Sequence, residues 1–192
     1  EKTLLYVHGS TYPAETAFDL SLGGTSWMEF MAARGYDVWL VDLRGYGKST
    51  RPPEMDQPAD QNPPIVRTEV AVRDVSSAVD YILKKRNINK LNLLGWSWGT
   101  TIMGKYTTEN NQKVNKLVLY APQWIRQGGA PLTDKGGQLG AYRVASITDA
   151  KNRWLTGVPE SAKATLIPEG WFEKWAEATF DTDPWGRTQT PK

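Results

Sequence analysis

Four short apolar runs separated by segments of helical spacing leave this chain few folds to choose from. The runs are TLLYVHG (3–9), YDVWLVDL (36–43), KLNLLGW (90–96) and VNKLVLYAP (114–122). Each is rich in β-branched, aromatic or leucine residues, has strand length and closes near a Gly, Asp or Pro. Between the first two, Ser26 and Glu29 form a capping-box signature ahead of WMEFMAAR, and Gly35 stands where helices commonly stop. Between the second and third, residues 68–86 place Val75, Val79, Ile82 and Leu83 on one helical face and end in Lys84, Lys85 and Arg86, where the helix dipole favours cations. The run after Trp96 continues as a third helix. Strands joined through helices are connected by parallel crossovers, so the expected class is α/β: a mostly parallel sheet flanked by helices.

The chain changes texture twice. Residues 44–65 are dense in Gly and Pro and read as a long exposed loop, and loops of this length are usually functional or mobile. From Gln123 onward, Gly128, Gly129, Gly136, Gly137 and Gly140 interrupt the sequence and strand runs disappear. Short helices are expected over 149–156 and 168–180, with Pro168 in a first-turn position and Trp171 and Trp175 on one face. The domain reading is a core over 1–122 and a helical cap or lid segment over 123–192.

Composition removes several classes of function. The net charge of +2 comes from 23 basic and 21 acidic residues interspersed along the chain, so no stripe suggests nucleic acid or an anionic membrane. The absence of cysteine excludes disulfides, thiolate metal sites and thiol catalysis, but leaves the compartment open. No apolar run has the length of a transmembrane helix and no signal-peptide pattern opens the chain. Localisation is therefore unassigned, and no metal or cofactor is expected.

The chemistry lies in LNLLGWSWGTT, residues 91–101. Gly95-Trp96-Ser97-Trp98-Gly99 fits G-x-S-x-G, a pattern that about one chain in twenty of this length meets by chance. Its context is more specific, because it follows an expected strand and opens an expected helix, whose first N–H groups and positive dipole end lie near the serine. His8-Gly9-Ser10 closes the first strand and Asp42-Leu43-Arg44-Gly45-Tyr46-Gly47-Lys48-Ser49 closes the second.

These three motifs, in this order and at these spacings, resemble the α/β-hydrolase family over roughly residues 3–122. The resemblance implies the α/β-hydrolase fold, with Ser97 as nucleophile and the backbone N–H groups of Ser10 and Trp98 as the oxyanion hole. His8, Gly9, Gly95 and Gly99 are supporting residues in that reading, and Asp42 and Arg44 brace the loop after the second strand. Trp96 and Trp124 are candidate pocket residues. Trp98 is a further one, while Trp154 and Trp175 read as core.

His8 is the only histidine, and it precedes the serine. The family order of serine, acid, histidine places the base far downstream, so His8 reads as support for the oxyanion loop and not as the base. No acid follows the fourth strand directly, and Asp149, Asp181 and Asp183 read as capping or turn residues. The expectation is therefore an incomplete α/β-hydrolase fold, with the acid and histidine supplied by a part outside these residues, of which a second chain or fragment is one form. The implied activity is cleavage of a small-molecule or polymeric carboxylic ester through an acyl-enzyme on Ser97. The alternatives are a catalytically inactive binding protein or truncated homologue of the same fold, and a peptidase, C–C hydrolase or acyltransferase.

Overall fold

The computed structural model describes residues 2–124, 127 and 139–189. Four strands, β1 (Thr3–Val7), β2 (Asp37–Val41), β3 (Leu91–Trp96) and β4 (Val114–Tyr120), form one parallel sheet in the order β2-β1-β3-β4. The sheet and its helical crossovers are those expected from the sequence. In β1, Leu5 lies between Trp39 of β2 and Leu93 of β3, and Val7 lies between Val41 and Gly95.

Side-chain alternation along β1 divides the core in two. Leu5 and Val7 face helices α3 (Thr68–Arg86) and α4 (Trp98–Glu109), packing with Val75, Val79, Ile82, Ile102 and Tyr106. Leu4 and Tyr6 face the other side, against Phe18 of α1 (Ala14–Phe18) and Met28 and Met31 of α2 (Trp27–Ala32). The Ser26–Glu29 capping box forms at the start of α2, and Gly35 follows it at φ 80°. At the end of α3 the left-handed residue is Asn87, whose short polar side chain tolerates that conformation.

The outer strand β4 is different. Val118, Leu119 and Tyr120 are about half exposed, and β4 has no strand on its far side among the described residues.

Beyond residue 139 the chain is helical: α5 (Ile147–Trp154), α6 (Glu160–Leu166), α7 (Trp171–Thr182) and α8 (Pro184–Gln189). Phe172, Trp175, Ala176 and Ala150 form a small third cluster with Trp154, and Tyr12, Leu20 and Leu22 from the sheet side pack on it. Trp154 and Trp175 thus belong to a core. The helix expected from Pro168 starts instead at Trp171, because Gly170 at φ 74° breaks the path and Pro168 serves as the acceptor of the preceding turn. Helices α1, α6 and α8 are additional to the sequence expectation. Gly128, Gly129, Gly136 and Gly137 lie outside the described residues.

Candidate active site

Ser97 sits between β3 and α4 at φ 54°, ψ −118°, a backbone conformation that non-glycine residues rarely adopt. Its surroundings hold it there. The Ser97 N–H donates to the Tyr120 carbonyl at 3.0 Å, and its carbonyl accepts from the Thr100 N–H at 2.9 Å and the Thr100 hydroxyl at 2.5 Å. The Thr100 hydroxyl in turn accepts from the Gln123 N–H, and the Thr101 hydroxyl donates to the Gln123 side chain. The turn is thereby fastened to the chain leaving β4.

The flanking glycines are there for space. A Cβ on Gly95 would lie 2.3 Å from the Gly99 carbonyl oxygen, and one on Gly99 would lie 2.5 Å from that of Val7. Close approach of strand and helix therefore excludes side chains at both positions. Gly9 does the same for the neighbouring loop: its Cβ would stand 3.0 Å from the Ser97 Cβ and 3.5 Å from the Ser97 Oγ. The His8-Gly9-Ser10 loop and the serine are thus in contact. The Ser97 side chain is half-buried, and its hydroxyl makes no hydrogen bond among the described residues. Trp98 is the first residue of α4, so its N–H has no acceptor within the helix and faces the helix's N-terminal side.

His8 is wholly buried. Its Nε2 accepts from the Leu43 N–H at 3.1 Å, which leaves the proton on Nδ1, 2.6 Å from the Gly9 carbonyl oxygen. Burial holds the imidazole below its ordinary pKa, against smaller opposing effects of the Gly9 carbonyl and Asp42. The ring is a neutral tie between β1 and the segment after β2, with the Tyr46 ring tilted against it at 4.5 Å between centroids. Asp42 extends the tie: Oδ1 accepts from the Ala14 N–H and Oδ2 from the Lys48 N–H. Arg44 pairs with Asp74 of α3 through its Nε and Nη2. These are the bracing bonds expected of Asp42 and Arg44. Asp74 lies outside every motif of the sequence, and Tyr46, though inside the motif after β2, carries no signal there of its contact with His8.

The tryptophans take separate places. Trp98 packs against the α3–α4 side of the core, and Trp96 against Phe18 on the opposite side. The Trp124 residue is 79% exposed. A cavity of about 380 Å³ lies instead between the loop after β1, the loop after β2 and the helical region, and neither Trp96 nor Trp124 lines it. Of the expected site residues, Ser10 borders this cavity. Among the described residues no group of three histidine, cysteine, aspartate or glutamate side chains could hold a metal, and no helix is long and apolar enough to cross a membrane.

The family model described as the alpha/beta hydrolase fold matches residues 2–156. The chain belongs to this family. Among curated relatives, it is 28% identical over 180 residues to a 2-hydroxy-6-oxononadienedioate/2-hydroxy-6-oxononatrienedioate hydrolase of Cupriavidus pinatubonensis, covering 85% of this chain and 52% of that protein. It is 35% identical over 98 residues to a probable lipase of Schizosaccharomyces pombe, covering 49% of this chain and 22% of that one. Among solved structures, the 2-hydroxy-6-oxo-6-phenylhexa-2,4-dienoate hydrolase of Rhodococcus superposes with a TM-score of 0.59 at 18% identity, covering 98% of this chain and 60% of that one. This last likeness is one of fold. The chain thus spans about half or less of the length of these curated α/β-hydrolase relatives.

Proposed function

We propose that the chain carries the nucleophile half of a serine hydrolase acting on carboxylic esters. The observation that carries this reading is Ser97 in its strained turn, with the Gly9-Ser10 loop in contact with it. In the proposed reaction Ser97 Oγ attacks the acyl carbonyl carbon and its proton passes to a general base. The carbonyl oxygen becomes an oxyanion facing the N–H groups of Ser10 and Trp98, each worth on the order of 3 kcal/mol to the transition state. Collapse expels the alcohol, protonated by the same base, and leaves an acyl group on Ser97. Water, deprotonated by the base, then releases the acid.

His8 does not serve as this base. Both its ring nitrogens are engaged by the backbone, and a buried imidazole with a lowered pKa is a poor proton acceptor for a serine on another loop. The base and its acid partner belong to a part outside these 192 residues, whether later sequence or a second chain. Residues 1–122 act as the catalytic core and 123–192 as the cap over a small-molecule or polymeric ester. A second reading, hydrolysis of a bond beside a ketone, is favoured by the 2-hydroxy-6-oxo substrate named for the relative that covers 85% of the chain.

A labelled fluorophosphonate and a panel of p-nitrophenyl esters test the proposal on the full-length protein. Labelling at Ser97, with ester turnover lost in Ser97→Ala, is expected. An unlabelled Ser97, or a Ser97→Ala protein with full esterase activity, overturns the reading. Turnover of oxo-dienoates without ester turnover would favour the second reading.

A further inference from the structure

An exposed cation that the fold does not neutralise stands at the rim of the cavity beside the Ser10 loop. Arg44, Arg51 and Arg143 all border it. Arg44 is paired with Asp74, and Arg51 with Asp56 and Asp183. Among the described residues Arg143 has no carboxylate within ion-pair distance and its guanidinium donates only to the Thr11 hydroxyl. Thr11 itself is held at φ 93°, a strained value for a β-branched residue, and follows Ser10 directly. The remaining wall is aromatic and apolar, including Tyr12, Tyr46, Trp175 and Phe180. One end of the cavity is therefore the loop that touches Ser97, its sides suit an alkyl or aryl chain, and its rim carries one positive charge with an open fork.

We infer that this cavity selects substrates whose acyl chain ends in a carboxylate, such as half-esters of dicarboxylic acids, with Arg143 as the specificity-determining residue. The inference rests on the reading of Ser97 as nucleophile for its orientation: the scissile carbonyl at Ser10 and the carboxylate at Arg143, whose bond to Thr11 sets it one residue further along the same loop, so that the chain between them bends through the apolar wall. A planar guanidinium that keeps free donors matches a carboxylate bidentately, and the apolar wall contributes through burial of the intervening methylenes. A neutral acyl chain of the same length would fill the wall and leave the charge unmet.

Binding separates this inference from catalysis. Full-length Ser97→Ala protein is titrated with monomethyl adipate and with methyl hexanoate, followed by calorimetry and by the fluorescence of Trp175 and Trp185 at the cavity wall. The half-ester is expected to bind about tenfold more tightly, the effect of a partly exposed charge-assisted hydrogen bond. Arg143→Gln, which keeps a donor for Thr11 but removes the charge, should bring the ratio close to one, and Arg143→Lys should retain most of it. Equal binding of the two esters, or a preference that survives Arg143→Gln, overturns the inference. A charge preference in a protein whose Ser97 does not react with fluorophosphonate would instead remove the catalytic reading and leave the anion site standing.

Discussion

The inner strands and the outer strand β4 are built from similar residues but meet different surroundings. β1 and β3 are paired on both sides and covered on both faces, so Leu5, Val7 and Leu93 have no solvent exposure. β4 carries Leu117, Val118, Leu119 and Tyr120 in an equally apolar run, yet the last three stand about half exposed. Hydrophobicity therefore identifies a strand, while its neighbours decide how much that strand contributes to stability. The loops of the candidate site follow the same division: His8 and Ser97 come at the ends of the inner strands, whose position is overdetermined by packing.

If that contrast is right, substitutions should cost much inside and little outside. Leu93→Ala removes a wholly buried side chain from the α3–α4 layer of the core and is expected to destabilise by about 2–5 kcal/mol in urea unfolding. Gly95→Ala comes next, at about 1–3 kcal/mol, because the added methyl meets the Gly99 carbonyl at 2.3 Å and strand and helix must part. The same substitution should also lower fluorophosphonate labelling of Ser97, since the turn would be displaced.

His8 gives the third test. Its folded pKa lies below the unfolded value of about 6.5, so at lower pH the unfolded chain binds a proton that the folded chain does not. Stability is full above that pH and should fall by up to about 1.4 kcal/mol per pH unit below it. Urea midpoints measured between about pH 7.5 and 5.5 should show this slope; a flat profile would mean that His8 titrates alike in the folded and unfolded chain, and a slope of opposite sign that it is held charged. The smallest effect is expected on β4, where Leu119→Ser should change stability by no more than about 0.5 kcal/mol. A loss comparable to that of Leu93→Ala would show that the β4 face is covered in the protein as it exists, and the contrast would fail.

The sheet was legible because its four apolar runs and the long α3 repeat are strong local signals. The five residues of α1, bounded by Pro13 and Asp19, are too few to show a helical repeat, and α6 and α8 are scarcely longer. Ser97 was legible because strand, glycines and helix converge in five consecutive letters. The partners that hold the site were not: Thr100 and Gln123 meet across the end of β4, Asp74 reaches Arg44 from the middle of α3, and Arg143 reaches Thr11 from the helical region. Contacts between residues so far apart in sequence leave no spacing to read. Trp96 is a pocket candidate by its place beside Ser97 and Trp124 as a tryptophan of the segment after β4, but the turn sends Trp96 into the α1 side of the core and Trp124 is largely exposed.

Selection for heat resistance alone would work against Ser97. At φ 54°, ψ −118° the backbone itself favours glycine, so a thermostability campaign on this scaffold would trade the hydroxyl for relief of strain unless turnover were screened in parallel. The most temperature-tolerant descendants of this chain would then be the ones furthest from an enzyme.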